Sequence, residues 1–588
     1  MSPDSGKQRI EARSEIADGM RIDWNVPIAM DDGIVLRADV FRPITEGKYA
    51  TILTYGPYAK GLSFQQYFKS QWQQMIAQFP EVARGSTNKY QNWEVVDPEK
   101  WVPDGYVCVR VDSRGAGCSP GYIDQHSPRE ARDFHDCIEW AAAQPWSNGK
   151  VGVTGISYYA VNQWRVAGEQ PPHLAAICVW EGCADRYRES THQGGILSTF
   201  ARDFQPRQIL RVQYGLGERG PRSAVTGQPV AGAETLSDDE LAKNRGPQWQ
   251  ELVAHPLDGP YYRERSANWE AIKTPLLSAG NWGGHGLHLR GNTEGFVRAA
   301  SEHKWLEIHG HAHWTHFYTD YGVGLQKRFL GHFLKGEKNG WDKQPRVQLQ
   351  IRHPGEVFVE RHENEWPIAR TQWTKFFLDP DRQRLTAEPA VASVALGFDA
   401  LGDGLTFSTP PLEREIEITG PVAAKLFVSS STVDADLFLV LRVFDPAGKE
   451  VLFHGANDPG MPIALGWLRA SHRKLDAKLS RPYRPYHTHD EKWPLTPGQP
   501  VELDIEIWPT CIVVPRGYRI ALSVRGKDYE NDGPPVASPW GGQAMRGAGP
   551  FQHNDPTDRP EAIFGGRTTL HFDPSRRPYV LLPIIPPK

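Results

Sequence analysis

The stretch Lys150 to Ala160, KVGVTGISYYA, decides the fold of this chain. Its β-branched part, Val151 to Thr154, predicts a short strand that runs through a Gly-Ile-Ser turn into a helix over about Tyr158 to Gly168. A serine on such a corner projects over the C-terminal edge of a sheet, and the next backbone N–H points at whatever the serine attacks. Ser157 is therefore a candidate nucleophile. The alternative is a serine that caps the helix, because Tyr159 replaces the last glycine of G-x-S-x-G.

The length and charge of the chain limit the class of protein to which it can belong. A chain of 588 residues exceeds the size at which one core stops growing, so two or three domains are expected. The 66 Lys and Arg nearly balance the 70 Asp and Glu, which leaves no field to attract nucleic acid or an anionic membrane. The first twenty residues are polar, and no run of eighteen apolar residues occurs. We expect a soluble, cytoplasmic protein without nucleic-acid or membrane partners.

The cysteines show neither metal-ligand spacing nor disulfide density, which fits a reducing compartment. We predict buried thiols and no metal site. The six residues are Cys108, Cys118, Cys137, Cys178, Cys183 and Cys511.

The order of predicted elements indicates two kinds of domain. Strands alternate with helices up to about residue 185 and again over 271–344, which predicts a mostly parallel sheet with helices on both faces. The helical and Gly/Pro-rich segment 186–270 reads as a cap inserted into that domain. Short, regularly spaced strands over 345–588 predict a sandwich or jelly-roll. Residues 1–20 are left as a polar N-terminal segment, so that the first part of the sheet domain spans 21–185.

A serine nucleophile needs a base, and the richest histidine segment is EIHGHAHW, Glu307 to Trp314. A base on the loop after the last core strand reaches the serine because both loops leave the same edge of a parallel sheet. His311 and His313 fit that position better than His309, which alternates with Ile308 inside the strand. A surface cluster and a histidine-rich metal site are the alternatives, and no companion carboxylate or cysteine supports the metal.

An oxyanion hole needs two donors. The backbone N–H of Tyr158 supplies one. The strand Thr51 to Tyr55 ends in GPYAKG, where the hydroxyl of Tyr58 is a candidate for the other. The alternative for Tyr58 is an aromatic side chain packed at a turn.

Several motifs together resemble the CocE/NonD hydrolases, the superfamily of cocaine esterase and X-Pro dipeptidyl-peptidase. The resemblance covers almost the whole chain. It implies an α/β-hydrolase domain with an inserted helical cap, and a C-terminal jelly-roll domain of the galactose-binding-like type. The motifs that carry it include GISYYA, YGPYAKG, DGYVCVRVDSRGAGCSPG (104–121) and HDCIEWAAAQPWSNGKVGVTG (135–155).

The family pattern implies roles for the candidates already named. Ser157 matches the nucleophile in the family's longer pattern G-x-S-Y-x-G, whose last glycine falls on Ala160 in this chain. Tyr58 matches the oxyanion tyrosine, with the Tyr158 amide as the second donor. His313 matches the base, although the usual G-P-W-x-H is shortened here to GHAH, so that His311 stays a rival.

The acid of the triad departs from the family pattern. Family members commonly carry an Asp after a Gly-Trp at the end of the strand before the histidine strand, but that loop here reads AGNWGGHG (279–286) and holds no carboxylate. Asp185, one strand after the nucleophile, is our prediction for the acid. Glu294 is a second candidate, and a water or a neutral partner is a third. The alternative for Asp185 is a residue of the cap hinge.

The glycine-rich loop suggests the substrate pocket. Its glycines allow a bound group to approach the backbone. Trp282, His285 and His288 are predicted to line that pocket.

These inferences predict a serine hydrolase that cleaves small esters or amides by acyl transfer, without a metal or organic cofactor. Esters are favoured over X-Pro peptides, because no acidic cluster is assigned to a substrate α-amine. A degenerate hydrolase that binds a ligand is an alternative from another class, motivated by the missing acid. The acyl group and the oligomeric state, with a homodimer among the options, are not predicted.

Overall fold

The computed structural model describes residues 11–391, 393–455, 457–539 and 543–587. Residues 1–10 of the predicted polar N-terminal segment lie outside this part, and a strand already begins at Arg13. The elements before the insertion are β1 (Arg13–Ala17), β2 (Met20–Ala29), β3 (Val35–Pro43), β4 (Tyr49–Gly56), α1 (Phe64–Tyr67), α2 (Lys69–Gln78), α3 (Pro98–Trp101), β5 (Tyr106–Asp112), α4 (Pro128–Ala142), β6 (Ser147–Ile156), α5 (Tyr158–Gly168) and β7 (Leu174–Trp180).

The insertion that follows β7 consists of short helices joined by long loops, and the chain then returns to the sheet. The elements of the insertion are β8 (His192–Gln193), β9 (Ile196–Leu197), α6 (Phe200–Phe204), α7 (Asp238–Lys243), α8 (Gln248–Ala254) and α9 (Pro260–Arg263). Those after it are β10 (Leu276–Asn281), α10 (Leu289–Arg298), β11 (Lys304–His309), α11 (Thr315–Tyr318), α12 (Asp320–Leu330), β12 (Val347–His353) and β13 (Val357–Glu363).

The first sheet has eleven strands in the order β1-β2-β3-β5-β4-β6-β7-β10-β11-β12-β13. Strands β5 to β12 in this order are parallel, and β13 pairs antiparallel with β12. Helices α4 and α5 bury Phe134 and Trp164 on one face, while α12 buries Phe329 on the other. The predicted parallel sheet with helices on both faces is confirmed, and it continues beyond the predicted boundary at residue 345.

The register of the central strands sets the position of the loops at the C-terminal edge. Ile156 of β6 and Ala279 of β10 both pair with Trp180 of β7, and Asn281 of β10 pairs with His309 of β11. The residues after β6, β7, β10 and β11 therefore leave the sheet side by side, which is where open α/β sheets place ligands.

The second domain is all-β. Its sheet closes on itself because β18 pairs with β24 as well as with β21 and β23. The jelly-roll arrangement stays a prediction. The elements are β14 (Gln372–Asp379), β15 (Arg384–Thr386), β16 (Val394–Asp399), β17 (Leu405–Ser408), β18 (Ile416–Ser430), β19 (Asp436–Phe444), β20 (Ala464–Arg469), β21 (Val501–Val514), β22 (Arg519–Arg525), α13 (Glu561–Phe564), β23 (Arg567–Phe572) and β24 (Tyr579–Ile585).

A buried ion network joins the two domains. Arg290 on α10 is 2% exposed, with Nη1 2.9 Å from Glu189 Oε1 and Nε 3.0 Å from Glu506 Oε1 on β21. Removing one partner would leave an uncompensated buried charge, which is strongly destabilising. The interface is thus part of the folded core. Among the described residues, no helix is long and apolar enough to cross a membrane.

Two helical glycines provide a matched test of the packing behind the C-terminal edge. A Cβ on Gly291 of α10 would lie 2.7 Å from the backbone of Cys183 and of Ala184, whereas a Cβ on Gly324 of α12 meets nothing within 4 Å. We expect Gly291→Ala to lower the free energy of unfolding by about 1 to 3 kcal/mol through overpacking. Gly324→Ala should raise it by about 0.5 to 1 kcal/mol, because alanine loses less backbone entropy on folding. Denaturant unfolding measures both, and equal effects would contradict the packing described.

Candidate active site

Ser157 lies on a sharp turn between β6 and α5. Its φ of 58° and ψ of −116° are in a region that few L-residues adopt, and its side chain makes no capping hydrogen bond to α5. The Ser157 N–H donates to the carbonyls of Trp180 and Glu181, each at 3.2 Å. The backbone geometry is that of a nucleophile turn, and the helix-cap alternative is wrong.

His313 lies on the loop after β11 and is held by two carboxylates. Nδ1 is 2.7 Å from Oε2 of Glu181, and Nε2 is 3.1 Å from Oε1 of Glu94. Glu181 is the first residue after β7, next to the serine turn at the sheet edge. The group at Nδ1 of this histidine is therefore a glutamate that the sequence reasoning did not name.

The charges of this cluster reinforce one another. Burial opposes the charged form of Glu181, but the charge of His313 and hydrogen bonds from His309 and His313 lower its pKa to about 2. Burial likewise opposes a charged His313, yet Glu181 and Glu94 raise its pKa to about 10. Glu181 is thus a fixed anion that stabilises an imidazolium, which is the role of a triad acid.

A second histidine, His309, contacts the other carboxylate oxygen of Glu181. His309 at the end of β11 is fully buried, with Nε2 3.2 Å from Glu181 Oε1 and Nδ1 2.7 Å from Glu307 Oε2. The Asn281 amide also donates to Glu181 Oε1 at 3.2 Å. These contacts fix both oxygens of Glu181, because His313 takes the other one.

Glu94 is the second carboxylate at His313. Its carbonyl accepts from the N–H of Ile156 at 3.0 Å, and its Oε2 is buried without a hydrogen-bond partner among the described residues. Burial raises the pKa of Glu94 to about 7, although the hydrogen bond and charge of His313 act in the opposite direction. Glu94 is therefore easier to protonate than an exposed glutamate.

The two predicted oxyanion donors lie beside the serine. Tyr158 is the first residue of α5, and its N–H has no intrahelical partner because of that position. The ring of Tyr58 packs edge-on against Tyr158, with centroids 5.9 Å apart. Burial raises the pKa of Tyr58 far above its usual range, so its hydroxyl remains a donor. Asp112 fixes the Tyr58 loop by accepting from the Lys60 N–H at 2.6 Å.

These groups open into one cavity beneath the inserted cap. It has an empty volume of about 610 Å³, part of it continuous with solvent. Its lining combines apolar and polar side chains: Tyr58, Glu94, Gln125, His126, Ser157, Tyr158, Val161, Cys183, Arg186, Ser190, Phe200, Ala201, Phe204, Gln208, Gln248, Leu287, His288, His313 and Asn457.

The structure places the two predicted acids elsewhere. Asp185 accepts from the backbone N–H of Arg188 and forms an ion pair with its side chain at 2.9 Å. Glu294 pairs with Arg484 and, at 3.6 Å, with Arg298. Neither carboxylate contacts His313. Asp185 does follow β7, but it lies five residues beyond Trp180, the end of that strand, where its side chain accepts from the backbone N–H groups of Tyr187 and Arg188.

Three other residues that the sequence suggests for the site do not line the cavity. Trp282 is fully buried and donates to the Gln350 carbonyl at 2.8 Å, while His285 accepts from the N–H of Leu465 in the second domain at 3.2 Å. Both face the domain interface, so their assignment to the pocket was wrong, and His288 lines the cavity instead. The rival base His311 packs edge-on against Phe79, and burial lowers its pKa to about 4.

A serine on a strand-to-helix turn, with a histidine and a carboxylate at the same edge of a mostly parallel sheet, defines an α/β-hydrolase of the serine hydrolase class. Comparison with known families agrees. Residues 32–318 match the profile of the X-Pro dipeptidyl-peptidase (S15 family), and residues 339–581 match the X-Pro dipeptidyl-peptidase C-terminal non-catalytic domain. The chain belongs to the CocE/NonD hydrolase family of cocaine esterase and X-Pro dipeptidyl-peptidase-like serine hydrolases.

Individual relatives extend over most of the chain. A CocE/NonD family hydrolase from Staphylococcus aureus has a crystal structure that is 29% identical, with a TM-score of 0.83 over 98% of this chain and 97% of that one. The cocaine esterase of a Rhodococcus species is 27% identical over 511 residues, which cover 73% of this chain and 81% of the relative. An α-amino acid ester hydrolase shares the fold at 16% identity, with a TM-score of 0.67.

The two carboxylates at His313 predict a pH effect. The Glu94 charge helps raise the pKa of His313, so Glu94→Gln should lower that pKa and move the acidic limb of the kcat/KM profile for ester hydrolysis to lower pH. Glu99→Gln, the same change at a carboxylate that binds Ser86 and Thr87, is the control and should leave the profile in place. An unchanged or upward-shifted limb in Glu94→Gln would contradict the assignment.

Proposed function

We propose that the protein hydrolyses esters of small acyl groups through an acyl-enzyme on Ser157, with His313 as the base and Glu181 as the acid that orients it. The observation that carries this proposal is the 2.7 Å contact between His313 Nδ1 and Glu181 Oε2, at the sheet edge where Ser157 lies. It supplies the member of the triad that the glycine-rich loop after β10 lacks.

In the proposed reaction, His313 first passes its Nε2 proton to Glu94, which lies 3.1 Å away. The neutral Nε2 then accepts a hydrogen bond from the Ser157 hydroxyl and takes its proton during attack on the ester carbonyl. Glu181 stabilises the resulting imidazolium. The Tyr58 hydroxyl and the Tyr158 N–H hold the tetrahedral oxyanion. The imidazolium then protonates the departing alcohol. Water, deprotonated by His313, attacks the acyl-enzyme and releases the acid.

Ester cleavage is favoured over peptide cleavage by the charges in the cavity. Among the described residues that line it, Glu94 is the one carboxylate, and it is hydrogen-bonded to His313. No separate acidic group is therefore available for a substrate α-amine. The match to the X-Pro dipeptidyl-peptidase profile keeps peptidase activity as the second candidate. The ligand-binding alternative was motivated by the missing acid, and the proposed role of Glu181 removes that reason.

The cysteines support a location in a reducing compartment, and we propose the cytoplasm. All six are free and buried. Burial raises the pKa of Cys108 to about 12, so this thiol stays protonated and unreactive.

Ser157→Ala tests the nucleophile. The native protein should be labelled by a fluorophosphonate probe and should hydrolyse aryl esters, whereas the variant should lose labelling and about 10⁴-fold or more in kcat. Circular dichroism and thermal unfolding verify that the variant is folded. Equal labelling of the two proteins, or none in the native one, would rule out the proposed function.

Glu181→Gln and Asp185→Asn separate the acid from its rival. The first should lower kcat by about 10²- to 10⁴-fold, because Nδ1 loses its anionic partner while the shape is kept. The second should leave kcat almost unchanged and lower the free energy of unfolding by about 1 to 3 kcal/mol, because it weakens a half-buried pair with Arg188. Steady-state kinetics and denaturant unfolding measure both. The reverse pattern would return the role to Asp185.

A further inference from the structure

Arg186 is a cation of the cavity lining that the proposed reaction does not use. Its Nη1 donates to Ser190 Oγ at 3.1 Å, and its Nε is buried without a hydrogen-bond partner among the described residues. No carboxylate of the described chain forms an ion pair with it, in contrast to Arg188 two residues later, which pairs with Asp185 and Asp258 at 2.9 Å. A guanidinium that is partly removed from water and unpaired is costly, so it is expected to bind an anion.

The acids closest to Arg186 in sequence are already engaged. The side chain of Asp185 faces Arg188. Glu189 is fully buried, binds Arg290 at 2.9 Å, and accepts from the Ala184 N–H at 2.6 Å. A carboxylate for Arg186 therefore has to come from outside these residues.

Two amides in the same cavity have unused hydrogen-bonding groups. Gln125 is 6% exposed, and neither its Nε2 nor its Oε1 has a partner among the described residues. Gln248 is 8% exposed, with its Oε1 equally unpartnered. Buried amides are normally satisfied, so such groups in a cavity indicate a polar ligand.

The field at this end of the cavity is positive. Next to Gln125, His126 stacks on Tyr158 with centroids 4.2 Å apart. Burial and then the charge of Arg186 hold its pKa well below the usual range, so His126 is neutral. Glu130 accepts from the Tyr158 hydroxyl at 2.9 Å, and among the described residues no ion pair joins it to Arg186.

We propose that Arg186, together with Gln125 and Gln248, forms a carboxylate subsite, and that the enzyme prefers esters whose acyl or leaving group carries a carboxylate. The inference rests on the proposed function and specifies its substrate class. A guanidinium binds a carboxylate with two parallel hydrogen bonds, and an amide N–H₂ can donate a further one. Glu94, the one carboxylate among the described residues of the lining, is hydrogen-bonded to His313 and forms no ion pair with Arg186.

Two pairs of esters test the subsite and separate its two sources of carboxylate. Monomethyl succinate against methyl levulinate places a carboxylate or a ketone on the acyl group. The butyrate ester of 3-hydroxybenzoate against that of 3-hydroxybenzamide does the same on the leaving group. In at least one pair, the native enzyme should prefer the anion, and Arg186→Gln should lower kcat/KM for it by about 10- to 100-fold while the neutral ester is little changed.

Variants and labelling make the result decisive. For the anionic ester, kcat/KM of Arg186→Lys should lie between the values of the native enzyme and of Arg186→Gln. Lysine keeps the positive charge but cannot form the two parallel hydrogen bonds of a guanidinium. Arg211→Gln is the control, because Arg211 is an exposed arginine of the same insertion that packs over Tyr67 outside the cavity lining. It should leave the ratio of kcat/KM for the anionic and the neutral ester unchanged in both pairs. Thermal unfolding verifies folding. If neutral and anionic esters lose activity equally in Arg186→Gln, or the native enzyme prefers neither anion, the subsite is wrong. Fluorophosphonate labelling of Ser157 in Arg186→Gln would show that the proposed hydrolase function holds even if the carboxylate subsite is wrong.

Discussion

The imidazole of His313 lies between two buried carboxylates, and the residues that carry them are bonded through their backbones to the turn that holds Ser157. The Glu181 carbonyl accepts from the Ser157 N–H, and the Glu94 carbonyl accepts from the N–H of Ile156. The hydrogen bonds that fix the serine therefore also fix the groups that orient and charge the histidine. A small displacement of any one of them would therefore be transmitted to the others.

This arrangement has a conformational cost. Ser157, Glu94 and Glu181 have φ values of 58°, 63° and 50°, in the left-handed region that non-glycine residues seldom occupy. Such backbones cost of order 1 to 3 kcal/mol each, and they persist where the surrounding structure leaves no alternative. The central parallel strands and the helices on both faces supply that constraint. Strain and buried charge coincide here with the candidate chemistry, as they commonly do at functional sites.

Much of this site could be predicted from the sequence, because its parts are local. The nucleophile turn and the segment of Tyr58, the proposed oxyanion tyrosine, are short motifs, and His313 follows a recognisable strand. Glu181, which we propose as the acid, is not predicted from the sequence, because the position of the acid depends on which strand ends are neighbours in space, and a sequence gives strands only in chain order. The segment after β7 is the one that the sequence indicates, but Asp185 lies further along it than Glu181. Trp282 and His285 were misplaced for a related reason, since their burial depends on a second domain more than a hundred residues away.

Asn281 is the last residue of β10, and its amide donates to Glu181. An aspartate at that position would place a second negative charge against Glu181 in a fully buried setting. A neutral residue at the end of β10 is therefore the condition for an ionised glutamate after β7, and these two strand ends can supply only one charged acid at a time.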